Sequence, residues 1–155
     1  MFNLSELVKG GTVCLSKAGL AEGTNSATIK TNAPNGGGTD FAINGKLYYK
    51  ADTDNLAVTA LALQADLTTC LYTVALDSGG NVTVTKGTAA LTANLTAGLV
   101  GLTFPEPAAN CCPIGGFKIV TSGGTFTAGT TDFSASGITA TCYDFMAIPD
   151  APIVA

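Results

Sequence analysis

The sequence predicts an all-β domain, an antiparallel β-sandwich or flattened barrel of about eight strands, with an extended amino-terminal arm and a carboxyl-terminal strap. Two observations predict it. The runs LYTVALDSGGNVTVTKG (71–87) and CCPIGGFKIVTSGGTFTAGTTDFSASGITATCYD (111–144) alternate apolar residues with threonine and are cut by glycine pairs, the pattern of half-buried antiparallel strands and their turns. Asn44-Gly45 lies between two further alternating runs, the strongest short-range hairpin signal.

Residues 1–11 carry Phe2, Leu4, Leu7 and Val8 and read as a short helix or an extended arm that ends at Gly10-Gly11. Short strands are expected at 12–16 and 27–31, around the glycine-punctuated connection AGLAEGTNS. The run 32–38, NAPNGGG, reads as a loop or hinge. It divides an amino-terminal part, 1–38, from a main domain, 39–147. Strands at 39–43 and 46–50 flank Asn44-Gly45. Leu56, Val58, Ala60 and Ala62 alternate, so 55–65 reads as a strand, although its alanine and leucine content also suits a helix. Strands at 70–76 and 81–86 form a hairpin across Asp77–Gly80. Leu91, Leu95, Leu99, Leu102 and Phe104 are three or four residues apart in most steps, which suits a short helix ahead of a proline-bearing loop at 105–113. Further strands are expected at 116–121, 124–127 and 137–145. The tail 148–155 holds two prolines, incompatible with a central strand, and reads as a strap.

Only 12% of residues are charged, about half the usual share of roughly 25%. A surface built from Thr, Ser, Asn, Gly and Ala costs little to desolvate against another protein and suits a subunit of an assembly. The chain has no histidine, arginine or tryptophan. The usual general base, the commonest metal ligand and the bidentate anion clamp are therefore missing, and no enzyme activity is expected. Net charge is −4, with five lysines against three acids in 1–50 and two lysines against eight acids in 51–155. No basic cluster is present to neutralise a row of phosphates, so nucleic acid is not an expected partner. No stretch reaches the apolar length of a membrane span, and the start lacks the basic and apolar regions of a signal peptide. Synthesis in a cytoplasm and no membrane partner are expected.

The five cysteines are odd in number and lack CxxC spacing, which favours free thiols over a disulfide framework or a zinc site. Asp52, Asp54 and Asn55 resemble part of a calcium loop but lack its sixth-position glycine and distal glutamate, so an Asx-capped turn is expected instead. Asp77 and Asn81 belong to a hairpin turn. The glycines of PIGG and SGGT lack the Lys-Thr or Lys-Ser of a phosphate cradle. No spacing selects a carboxylate pair for glycoside hydrolysis. No catalytic residue, metal or cofactor is expected.

The series INGKLYYKADTDNLAVTA, LYTVALDSGGNVTVTKGTA, CPIGGFKIVTSGGTFTAGTTDF and ITATCYD resembles small structural proteins encoded among the virion genes of tailed bacteriophages, over roughly residues 39–145. In those proteins a YKA-type strand entry, a hairpin ending in VTVTKG and a PIG-type strand follow in similar order. The chain departs from that pattern at Cys111-Cys112, where a single cysteine usually precedes the proline. The resemblance implies a capsid decoration (cement) protein, bound in many copies to the outer head surface. The alternatives are a head-fibre base or tail-associated subunit that contacts a receptor and, from another class, a carbohydrate-binding module. The implied partners are the major capsid protein and further copies of the chain, a trimer first, on the virion surface. Phe2, Leu4 and Leu7 in the arm and Ile148, Ile153 and Val154 in the strap are the expected contact residues.

Overall fold

The computed structural model describes residues 11–145. Eleven strands and one short helix follow in order: β1 (Val13–Cys14), β2 (Ala21–Glu22), β3 (Thr28–Thr31), β4 (Thr39–Ile43), β5 (Lys46–Lys50), β6 (Thr53–Ala57), β7 (Thr68–Leu76), β8 (Val82–Lys86), β9 (Ala90–Leu91), α1 (Thr92–Thr96), β10 (Cys112–Thr121) and β11 (Ile138–Asp144). They form three antiparallel sheets. The central one has the order β11-β10-β7-β8, with β9 also paired to β7, and the two smaller ones are β1-β4-β5 and β2-β3-β6. The sheets do not close on one another, so the architecture is a sandwich and not a barrel. The loop 32–38 lies inside this arrangement: β1 before it pairs with β4 after it, and β3 before it pairs with β6 after it.

Strand alternation builds the core. Cys70, Tyr72, Val74 and Leu76 of β7 and Phe117 and Ile119 of β10 point to one face of the central sheet. There they meet Cys14, Phe41 and Ile43 of one small sheet, Ile29 of the other, and Val58, Phe126 and Phe133 from the loops. The aromatic rings interlock, with Tyr72 stacked on Phe117 at 4.8 Å and Phe133 edge-on to Phe117 at 5.0 Å. Leu71 of β7 points the other way. With Leu95, Leu102, Phe104 and Phe145 it forms a second, smaller core under the 88–108 segment. Gly116 permits this layer, because a Cβ there would stand 2.4 Å from the Phe104 ring.

The hairpin β4–β5 forms as expected, since Asn44 and Gly45 both adopt positive φ (50° and 79°), as a type I′ turn requires. Several expectations are corrected. The first strand shortens to β1, and two-residue β2 and β9 form where no strand was expected. The expected 55–65 strand ends at Ala57; beyond it, Leu61 and Gln64 donate their backbone N–H groups to the carbonyls of Ala128 and Phe126, leaving the ladder. No strand forms at 124–127. Gly123 turns there at φ 94°, the Asp66 carboxylate takes the Gly123 and Gly124 N–H groups, and Phe126 makes only an isolated bridge with Gln64. Strand β10 starts at Cys112, four residues early. Pro113 is tolerated because β11 pairs only from Gly115 onward and a register shift separates Pro113 from Gly115.

Candidate functional site

Several carboxylates and amides that could do chemistry are occupied in holding turns. Asp54 accepts the Thr24 N–H and hydroxyl and the Asn55 N–H, which holds its carboxyl below the usual range. Asn55, at φ 58°, accepts the Asn25 N–H at 2.7 Å, and Asp52 accepts the Ala33 N–H at 2.8 Å. The DTDN stretch therefore ties neighbouring loops together. Asp77 is held low in the same way by the Asn81 side chain and by the N–H groups of the β7–β8 turn. Asp66 is held low by the N–H groups of Gly123, Leu67 and Gly124. Glu22 and Asp132 share a hydrogen bond that raises the first and lowers the second, and Ser134 donates to Asp132. Among the described residues no group of three or more Cys, Asp or Glu is placed to hold a metal ion.

All five thiols are free. Burial pushes Cys14 and Cys142 up to about 11 and Cys112 up to about 12. Cys70 also rises through burial, as does the Tyr72 phenol. At neutral pH these four thiols are protonated, the unreactive form. A cleft of about 340 Å³ is lined by Lys86, Gly87, Thr88, Gly101, Leu102, Thr103 and Pro105. Its lysine donates to Leu63 O at 2.7 Å, and no acid or thiol joins it. Among the described residues no helix is long and apolar enough to cross a membrane.

The surface is more distinctive than the clefts. Leu63, Leu67, Leu91 and Leu99 are 60%, 61%, 54% and 76% exposed, with Val100 next to the last. Two of them, Leu67 and Leu91, are neighbours at the edge of the central sheet. Leu91 pairs with Thr68, the Thr92 N–H donates to Leu67 O, and Leu99 and Val100 close the turn after α1. The 63–67 stretch is held by a buried hydrogen-bond network. Gln64, fully buried between Leu63 and Leu67, exchanges backbone hydrogen bonds with Phe126 at 2.7 and 3.1 Å. Its side-chain amide donates to the carbonyls of Thr68 and Ile119, both at 3.1 Å, and accepts from the Tyr72 hydroxyl at 3.0 Å. Thr121 adds bonds to the carbonyls of Ala65 and Thr68.

A second apolar surface is the outer face of β1-β4-β5. Val13, Ala42 and Leu47 form one cross-strand row on it, and Leu15, Asp40 and Tyr49 form the next. Leu47 is 70% and Tyr49 59% exposed.

The expected contact residues Phe2, Leu4, Leu7, Ile148, Ile153 and Val154 lie outside the described residues. The exposed leucines were missed by sequence reasoning. Leu47-Tyr48-Tyr49 did carry a signal, since a strand with apolar residues at three successive positions has no polar face. No protein-family model, curated protein or solved structure matches the chain.

Proposed function

We propose that the protein is a decoration subunit of a tailed-bacteriophage head, binding the outer capsid surface in many copies and stabilising the lattice. The observation that carries this reading is the set of exposed leucines Leu63, Leu67, Leu91 and Leu99, of which Leu67 and Leu91 are neighbours where β9 pairs with β7. Isolated exposed leucines are ordinary, but neighbouring ones mark an interaction surface. The weak charge lowers the desolvation cost of docking, and the carboxylates spent on turns and the protonated thiols fit a binding role. The sequence resemblance supplies the identity of the partner, the major capsid protein.

Stabilisation follows from linkage. A subunit that binds only the assembled lattice lowers its free energy at every site, by about 2.7 kcal/mol when free subunit stands at a hundred times Kd. Self-association into a small cyclic oligomer, a trimer on local three-fold axes, would match the symmetry of such a lattice. Phe2, Leu4 and Leu7 and the strap residues Ile148, Ile153 and Val154 are proposed contacts to the capsid or to a neighbouring copy.

The test is co-sedimentation of purified protein with expanded, undecorated capsids. Leu91→Asp and Leu99→Asp place a charge at the docking surface, and each is expected to weaken binding about tenfold or more while leaving the circular dichroism spectrum unchanged. Wild-type affinity in both variants would overturn the assignment.

A further inference from the structure

We propose that Asn35-Gly36 is a self-modifying site, at which the Asn35 side chain deamidates through a succinimide to aspartate and isoaspartate, while Asn44-Gly45 keeps its amide. The proposal is independent of the partner the protein binds.

The reaction needs a following residue with no side chain to block it. The Gly36 backbone nitrogen gives its proton to water and attacks Asn35 Cγ. The new N–C bond closes the succinimide ring, the Cγ–Nδ2 bond breaks and ammonia leaves. Water then opens the ring at either carbonyl, giving aspartate or an isoaspartate whose backbone runs through the side chain. The chain contains two Asn-Gly pairs, Asn35-Gly36 and Asn44-Gly45. Their local sequence is the same, and the fold separates them.

Asn35 is placed for the attack. It lies in the exposed stretch 34–37. Gly36, at φ 68°, has no atom beyond its chain neighbours within 4 Å of where a Cβ would stand, so nothing obstructs rearrangement of the loop. Gly37 N–H donates to Asn35 Oδ1 at 2.9 Å, which folds the side-chain amide forward along the Gly36-Gly37 backbone. The Asn35 amide atoms stand 3.8–3.9 Å from a Cβ position on Gly37. The same donor points at the oxygen on which negative charge develops as Gly36 N adds to Cγ, the logic of an oxyanion hole. A turn bond from Gly36 N–H to Ala33 O, 2.9 Å long and in this exposed loop, opens to free the nucleophile.

Asn44-Gly45 is locked. Gly45 N–H donates to Gly11 O at 2.6 Å, and Asn44 N–H donates to Thr12 Oγ1 at 3.0 Å. The Asn44 side-chain nitrogen, the leaving group, donates to Asn110 Oδ1 at 3.3 Å. The pair is also the turn of the β4–β5 ladder. Attack there requires these bonds to open together, and three hydrogen bonds of ordinary net worth slow it by about tenfold or more.

Each conversion adds one negative charge to a chain of net −4, so ion-exchange chromatography follows the reaction in the native full chain held in mildly alkaline buffer. Both asparagines fall in one tryptic peptide, 31–46, whose fragment ions assign the site and separate isoaspartate from aspartate. Conversion at Asn35 is expected to be at least about tenfold faster than at Asn44 in the native protein, with the two rates within a few-fold of each other in urea. Equal native rates, faster conversion at Asn44, or the same ratio of rates in urea would overturn the inference. A native Asn35 rate about tenfold or more below its rate in urea would overturn it too, because the loop would then protect the amide instead of presenting it.

Discussion

Tyr72→Phe and Gln64→Leu, singly and together, probe the support beneath the exposed leucines Leu63 and Leu67. Gln64 is fully buried, and its amide serves three groups: the Tyr72 hydroxyl, Thr68 O and Ile119 O. Removing the tyrosine hydroxyl leaves Gln64 Oε1 without its donor, at a cost of about 1–3 kcal/mol. Gln64→Leu keeps the bulk but deprives the Tyr72 hydroxyl of its acceptor and the Thr68 and Ile119 carbonyls of a donor, with Thr121 Oγ1 still donating to Thr68 O, a loss of about 2–4 kcal/mol. In the double variant the hydroxyl is no longer there to be orphaned, so its cost falls short of the sum by about 1–2 kcal/mol. Urea unfolding followed by far-ultraviolet circular dichroism reads these values. With a slope of about 1–3 kcal/mol/M, a loss of about 2 kcal/mol moves the midpoint down by roughly 1 M. Additive effects, or single-variant losses below about 0.5 kcal/mol, would refute the claim that this buried network holds 64–68 in place.

Gly116→Ala forces a methyl group against the Phe104 ring and Tyr72 O, at 2.4 and 2.5 Å from its Cβ, and is expected to cost about 1–3 kcal/mol in urea unfolding; an unchanged midpoint would contradict the packing described for the second core. The pH dependence of stability is set by opposing groups. Asp54, Asp66, Asp77 and Asp132 are held low in the fold, so their contribution is present above about pH 4 and is lost as pH falls through their depressed folded values. Glu22 is raised, so its contribution is full below its unfolded value and is lost as pH rises through its folded one. Four carboxylates against one predict that acid lowers the urea midpoint below about pH 4, and a midpoint that rises there would count against these turn contacts. Thiol labelling at neutral pH should be slow at buried Cys14, Cys70 and Cys112 and complete at all five cysteines in urea; rapid native labelling of Cys14 or Cys112 would contradict their burial.

The parts of the fold legible in sequence are those fixed by local chemistry. Asn44-Gly45 demands positive φ at two successive positions, and β4 and β5 fall where that turn puts them. Asp77–Gly80 sets the β7–β8 hairpin similarly, through hydrogen bonds from Gly79, Gly80 and Asn81 to Asp77. The failures depend on distant partners. Strands β2 and β9, two residues each, exist because β3 and β7 lie beside them. The alternation in 55–65 stops meaning strand after Ala57 because Leu61 and Gln64 bond to the 126–128 loop, which the sequence does not place nearby. At 124–127, apolar Phe126 between two threonines suggests a strand, whereas Asp66, about sixty residues earlier, takes the backbone donors of Gly123 and Gly124. The exposed leucines were hidden for a related reason. Leu63, Leu91 and Leu99 resemble core leucines in pattern, and Leu91 comes beside Leu67 only through the pairing of β9 with β7.

The capsid reading makes its most direct commitment in stoichiometry. Quantitative mass spectrometry of purified particles should give a copy number within a few-fold of that of the major capsid protein. A few dozen copies or fewer per particle would contradict a lattice-wide decoration role and move the chain to a fibre or tail position.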